Sequence, residues 1–197
     1  RRSGDKDYKS TASDVKKIVE ELEQVGIDAI VMDLRGNSGG LLDEATALTG
    51  LFIDNGPIVQ LKDMDNNIEI LDDPYPGMVY NGPMVIMIDR YSASASEIFA
   101  GAMQDYQRGI VIGQKTFGKG TVQNLYPLDR YSRYQSKKGF GQLTLTIAKY
   151  YRVTGSGTQN IGVIPDIELP SFINAEVIGE ETKSNTLPWD QIVKIRF

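Results

Sequence analysis

The chain has 197 residues, 41% of them hydrophobic, and a formal net charge of −5. This length and composition predict a folded domain with a real core rather than a disordered chain. The acidic balance and the lack of a basic run argue against nucleic-acid binding. No apolar stretch reaches the roughly 18 residues that a membrane span needs.

The chain contains neither cysteine nor histidine. Their absence excludes thiol catalysis, disulfides and Ser-His-Asp catalysis, and it removes the side chains that most transition-metal sites use. We therefore predict no metal and no cofactor. A serine nucleophile in this chain would need a lysine or a carboxylate as its base.

The first predicted element is a helix over residues 13–25, which Gly26 ends. Ser13 and Lys16 match the Ser-x-x-Lys nucleophile motif, but we interpret Ser13 as the N-cap of this helix. The helix has one apolar stripe at positions i, i+3, i+4 and i+7. The stripe consists of Val15, Ile18, Val19 and Leu22.

The remaining pattern predicts strands that alternate with helices and glycine turns, as in an α/β unit. A glycine-rich turn at 36–40 joins the first strand to a helix, and a hairpin follows at 57–71. A further helix runs from Ser94 to about residue 107. Strands are predicted at 28–34, 57–61, 67–71, 83–88, 109–113, 121–127, 142–153 and 193–197.

The loop at 113–121 nearly matches the phosphate-binding pattern Gly-x4-Gly-Lys-Ser/Thr. Gly120 stands where a hydroxyl must hold the magnesium ion, and a strand rather than a helix is predicted to follow. The pattern therefore does not favour a nucleotide site.

Ser94 stands where a predicted buried strand turns into a helix. The free N–H groups and positive dipole end of that helix would suit a nucleophile beside a developing oxyanion. The structural alternative is that Ser94 to Glu97 form an ordinary capping box, Ser-x-x-Glu. This stretch alone leaves both interpretations open.

Lys119, one strand and one loop after the helix that begins at Ser94, is a candidate base for Ser94. A lysine must be desolvated to act as a base at neutral pH, and Phe117 and flanking glycines offer an apolar setting. Gln123, at i+4 in an extended segment, falls on the same side and its amide could orient the amine. Parallel strands would bring the loops after 28–34, 83–88 and 109–113 to one sheet edge.

Four linked motifs, in this order and spacing, resemble the C-terminal processing peptidases. The chain is most similar to the tail-specific protease branch of that family, bacterial serine proteases of the cell envelope. The resemblance covers residues from the first helix to about Pro170. Its motifs lie at 33–40 (DLRGNSGG), 92–97 (SASASE), 116–123 (TFGKGTVQ) and 162–166 (GVIPD).

The resemblance implies an α/β fold of the crotonase/ClpP type, built of ββα-like units. It also implies Ser94 as the nucleophile, Lys119 as the general base and Gln123 as the residue that positions Lys119. The oxyanion hole would use the backbone N–H of Ala95 and of a glycine in the 36–40 turn. That glycine is expected to be Gly40, with Gly39 as the alternative.

By the same resemblance we expect a lead-in at 1–12, a protease core at 13–170 and a C-terminal extension at 171–197, without the PDZ domain that family members carry. The implied substrates are proteins with apolar C-terminal tails, with an adaptor lipoprotein as a partner and the bacterial periplasm or envelope as the location. The oligomeric state is not predicted. Two alternatives stay open, namely an inactive or peptide-binding homologue and a crotonase-like acyl-CoA enzyme.

Overall fold

The computed structural model describes residues 9–134, 138–174 and 176–197. In these ranges the chain forms helices α1 (Thr11–Val25), α2 (Leu42–Gly50) and α3 (Ala95–Asp105), with short 3-10 turns at Leu128–Arg130 and Glu180–Thr182. The strands are β1 (Ile30–Asp33), β2 (Pro57–Asp63), β3 (Ile68–Asp72), β4 (Met84–Ile88), β5 (Ile110–Gly113), β6 (Thr121–Pro127), β7 (Gln142–Tyr151) and β8 (Ile167–Glu168). None of the helices in these ranges is long and apolar enough to cross a bilayer.

The short apolar runs form a parallel sheet in the order β1-β4-β5-β8. Ile86 and Ile88 of β4 are 0% exposed and belong to one buried cluster with side chains of α2 and α3. Phe52 and Phe99 meet edge to face between these helices, at 5.9 Å between ring centroids. Because β1, β4 and β5 are parallel, the loops that follow them share one edge, as the sequence predicted.

A second, antiparallel sheet has the order β3-β2-β7-β6. The predicted hairpin at 57–71 is confirmed as β2 and β3, and residues 121–127 form β6. Since a strand follows the 113–120 loop, the helix that a phosphate-binding loop requires is not formed there. The α/β class is confirmed by this combination of sheets and helices.

Two local predictions are wrong. The N-cap of α1 is Ser10 and not Ser13, because the Ser10 hydroxyl oxygen accepts the Ser13 N–H at 3.2 Å and donates to Glu44 on α2 at 2.8 Å. Residues 193–197 form no strand, although Ile195 N–H donates to Val153 C=O at 3.0 Å. Both outcomes depend on partners distant in sequence.

Candidate active site

Ser94 is the N-cap of α3, at the turn from β4 into that helix, and is partly exposed. Its backbone has φ 57° and ψ −114°, a conformation that residues other than glycine rarely adopt. Such strain costs of order 1–3 kcal/mol and persists only when the surroundings impose it. Here the Ser94 N–H donates to Oε2 of Glu97 at 2.7 Å, so the Glu97 half of the predicted capping box is formed.

Glu97 joins the Ser94 turn to the Lys119 loop. Its side chain is fully buried, and the same Oε2 that accepts from Ser94 also accepts the Lys119 N–H at 3.0 Å. The backbone nitrogens of Ser94 and Lys119 therefore lie within two hydrogen-bond lengths of each other. The second oxygen, Oε1, accepts the Gly118 N–H at 2.7 Å and the Thr116 hydroxyl at 2.5 Å.

Burial raises the pKa of Glu97 to about 7, although four donors act in the opposite direction. Withdrawal from water disfavours the carboxylate, whereas the hydroxyl and three backbone N–H groups favour it. The pKa of Tyr150 is also raised well above its usual range, first by burial and then by the Glu97 charge nearby. A buried ionisable group that bridges two loops is typical of a functional site.

Tyr150 provides a second link between the same two residues. Its hydroxyl donates to the carbonyl oxygen of Lys119 at 2.7 Å and lies 3.3 Å from that of Ser94. Tyr150 is 2% exposed, so this contact is shielded from water. The N–H groups of Ser94 and Lys119 thus share one carboxylate oxygen, and their C=O groups contact one phenol.

Lys119 is partly buried between two glycines that pack against a neighbouring loop. A Cβ on Gly118, which has φ +90°, would lie 2.9 Å from the backbone carbon of Asn160, and a Cβ on Gly120 would lie 2.5 Å from the nitrogen of Gln159. Both positions therefore need glycine. Within the described ranges, the Lys119 ammonium has no hydrogen-bond acceptor, which leaves it available to a reacting group.

The glycine turn at 36–40 is fastened to the Ser94 turn by Asn37. The Asn37 carbonyl accepts the Ala93 N–H at 3.0 Å, and its side-chain oxygen accepts the Ser96 hydroxyl at 2.9 Å. Gly39, with φ +92°, lies so close that a Cβ there would be 2.9 Å from the Ser94 Cβ. The turn is therefore in direct contact with the nucleophile candidate.

The two glycines that the sequence left as alternatives differ in their hydrogen bonding. The Gly39 N–H donates to the Asn37 side chain at 2.9 Å and is already used. No acceptor for the Gly40 N–H is present in the described part of the chain. Ala95 is the first residue of α3, so its N–H has no intrahelical acceptor either. This favours Gly40 with Ala95 as the donor pair.

Gln123 lies on an exposed part of β6, and its amide donates to the Thr146 hydroxyl at 3.5 Å. The pairing of β6 with β7 shifts between Val122 and Gln123, so regular alternation from Lys119 does not continue through this point. The positioning role of Gln123 stays a prediction. In the described residues, no group of three acidic side chains is arranged to hold a metal ion.

The sequence did not identify Glu97, Tyr150 and Asn37 as contributors to the site. The sequence could have pointed to Glu97, because an acidic residue one turn inside an apolar helix must either face water or have buried hydrogen-bond partners. Tyr150 carried no such signal, since a tyrosine in an alternating strand is usually a packing residue. Asn37 was visible only as part of a glycine turn.

The family model of peptidase family S41 matches this chain over residues 6–169. The tail-specific protease of Haemophilus influenzae is 50% identical over 186 residues, which are 94% of this chain and 26% of that protein. The carboxy-terminal-processing protease of Bartonella bacilliformis is 37% identical over 164 residues, which are 83% of this chain and 36% of that protein. The chain thus spans well under half the length of these relatives.

The solved structure of the photosystem II D1 C-terminal processing protease matches with a TM-score of 0.70 and 30% identity. The match covers 81% of this chain and 39% of that one. A putative S41 protease from Bacteroides fragilis, at 18% identity and a TM-score of 0.63, shares the fold. These likenesses confirm the fold that the sequence motifs implied.

Proposed function

Because the chain belongs to peptidase family S41, we propose that it is a serine endopeptidase core that acts through an acyl-enzyme, with Ser94 as nucleophile and Lys119 as general base. The observation that carries this proposal is the shared Glu97 oxygen, which accepts the backbone N–H of both residues at 2.7 and 3.0 Å. A Ser–Lys pair works only if both groups are held in one geometry, since misplacement by about 1 Å costs about 100-fold in rate.

In the first half of the reaction, the Ser94 hydroxyl oxygen attacks the carbonyl carbon of the scissile peptide. The unprotonated amine of Lys119 takes the hydroxyl proton as the new bond forms. The N–H groups of Ala95 and Gly40 donate hydrogen bonds to the carbonyl oxygen and stabilise the negative charge that develops on it. The dipole of α3, whose first residue is Ala95, acts in the same direction.

The tetrahedral species then expels the amine of the leaving peptide, which takes its proton from Lys119. An ester between Ser94 and the acyl part of the substrate remains. Water attacks this ester while Lys119 takes its proton, and collapse returns the proton to Ser94. We further propose that Gln123 orients the lysine amine; its 3.5 Å bond to the Thr146 hydroxyl is long and weak, so the amide can give it up.

We propose proteins with apolar C-terminal tails as substrates, and the likeness to tail-specific and carboxy-terminal-processing proteases supports a C-terminal tail as the segment recognised. By the same likeness we propose an adaptor lipoprotein as a partner and the bacterial periplasm or envelope as the location. Membership of a peptidase family favours this function over an acyl-CoA enzyme. The following experiment distinguishes an enzyme from an inactive or peptide-binding homologue.

The test is cleavage of an unfolded reporter whose C-terminal tail is either apolar or charged, followed by mass spectrometry. Ser94→Ala and Lys119→Ala are expected to abolish cleavage, and the charged tail is expected to be cut more slowly than the apolar one. Ser13→Ala is the matched control, because Ser13 begins the Ser-x-x-Lys pattern that we interpret as structural and is exposed on α1. Cleavage that survives Ser94→Ala would refute the mechanism, and binding of the reporter without any cleavage would favour a peptide-binding role.

A further inference from the structure

Residues 177–183, here called the C-terminal strap, lie beyond the region that matches the family, which ends at residue 169. The strap packs on the loop 115–119 that carries the candidate base. Its Glu180 N–H donates to the Phe117 carbonyl at 2.8 Å, and the Lys183 ammonium lies 4.9 Å from the centre of the Phe117 ring. The Glu181 carboxylate accepts from Lys115 at 2.7 Å.

Arg90 joins the strap to both halves of the candidate site. It stands four residues before Ser94, and its side chain is 0% exposed. One of its N–H groups donates to the Thr116 carbonyl at 2.7 Å, and another donates to Oε1 of Glu181 at 2.8 Å. It also donates to the Ile178 carbonyl at 2.7 Å. Arg90, which the turn before Ser94 carries, therefore binds both the base loop and the strap.

This arrangement depends on Glu181 for its charge balance. A buried guanidinium is costly unless it is paired and its N–H groups have acceptors. Burial acts to raise the pKa of Glu181, but the hydrogen bonds from Lys115 and Arg90 outweigh it and hold that pKa below its usual range. Glu181 is therefore ionised near neutral pH, where it completes the contact with Arg90.

The fit between strap and guanidinium is tight. Gly179 has φ +150°, and a Cβ there would lie 2.0 Å from a terminal nitrogen of Arg90. Only glycine lets the strap backbone approach this closely. On its other side the base loop is bound to the nucleophile turn, since the Phe117 N–H donates to the Ser92 carbonyl at 2.9 Å.

We propose that the C-terminal strap, through the contact of Glu181 with Arg90, is a positioning element that holds the Lys119 loop against the Ser94 turn. This inference rests on the proposed function, because it assigns the strap a part in aligning the same pair. Arg90 and Glu181 do not touch the substrate; they act through the backbone of Thr116 and Phe117. Loosening the strap should therefore lower kcat and leave KM nearly unchanged.

The test compares Glu181→Gln with Glu176→Gln. The first removes the charge that faces Arg90. The second makes the same chemical change at an exposed carboxylate just outside the strap. Glu181→Gln is expected to lower kcat about 10- to 100-fold with KM unchanged. Hydrogen exchange should also show loss of protection over residues 115–120, whereas Glu176→Gln should resemble the wild type in both measurements.

Equal kcat for the two variants would overturn the proposal, whether or not exchange in the loop changes. A parallel fall in stability without a fall in kcat would overturn it too, since the strap would then only support the fold. If the wild-type protein cleaves no reporter, the proposed function fails on its own account. In that case unchanged protection of residues 115–120 in Glu181→Gln would still overturn the role of the strap in holding the loop.

Discussion

Glu97→Gln tests the link between the two halves of the site with almost no change in shape. The amide keeps one acceptor oxygen and replaces the other with an NH2 donor. If the NH2 takes the place of Oε2, the N–H groups of Ser94 and Lys119 both lose their acceptor. If it takes the place of Oε1, Gly118 loses its acceptor, while the Thr116 oxygen can accept from the NH2.

The better orientation therefore leaves one buried backbone N–H without an acceptor. Leaving a buried N–H without an acceptor costs about 1–3 kcal/mol of stability. The bonds that remain to Ser94 and Lys119 also lose the strength that a charged acceptor gives them. We expect the free energy of unfolding to fall by about 1–3 kcal/mol and kcat to fall at least about 10-fold, because the two backbones are no longer held together.

The assay is urea unfolding near pH 9, where the Glu97 carboxyl with its pKa of about 7 is ionised, together with kcat and KM for the apolar-tailed reporter. Asp166→Asn is the matched control, because its carboxylate accepts the Val111 N–H at 2.8 Å near the start of β5, whereas the site lies beyond the end of that strand. The control should lose stability and keep kcat. A Glu97→Gln variant with the stability and kcat of the wild type would refute the assignment of Glu97 as the link.

Three further outcomes follow from the same contacts. The pKa of Glu97 in the folded protein, about 7, lies above the ordinary 4.5, so the contribution of this carboxyl to stability is complete below pH 4.5 and is lost as the pH rises through 7. In urea unfolding, the wild type should lose about 3 kcal/mol relative to Glu97→Gln across that window. A difference that stays constant with pH would contradict this. Gly39→Ala should destabilise the fold by at least about 1–3 kcal/mol in thermal unfolding, because residue 39 has φ +92° and the added methyl would lie 2.5 Å from the Ala93 carbonyl oxygen. Gly40→Ala should not destabilise the fold, because its methyl would meet nothing within 4 Å. Tyr150→Phe removes the phenol that donates to the Lys119 carbonyl at 2.7 Å, and it should cost about 1–3 kcal/mol in urea unfolding. A loss below about 0.5 kcal/mol would mean that water replaces the phenol.

Several elements could be predicted from local pattern because their cause is local. The apolar run at 83–88 can only be buried, and it became β4 at the centre of the parallel sheet. Gly26 ended α1 with φ +77°, a conformation that glycine adopts without strain. The absence of histidine and cysteine restricted the chemistry before any fold was considered.

Other features escaped prediction because their cause lies far away along the chain. Ser10 rather than Ser13 caps α1, since the carboxylate of Glu44 on α2 binds the start of the helix. The last five residues alternate like a strand, yet they form none, because a strand needs a partner with free backbone groups along its length.

What the sequence by itself determined is the set of chemical groups and the order of the loops that carry them. A serine at a strand-to-helix turn, a lysine between glycines and a glycine turn are properties of short segments. Only the tertiary structure decided that Glu97 and Tyr150 connect the first two and that Arg90 connects both to the C-terminal strap. The physical reason is that a buried charge or hydroxyl needs partners from every side, and no short stretch of sequence specifies which distant backbone groups those will be.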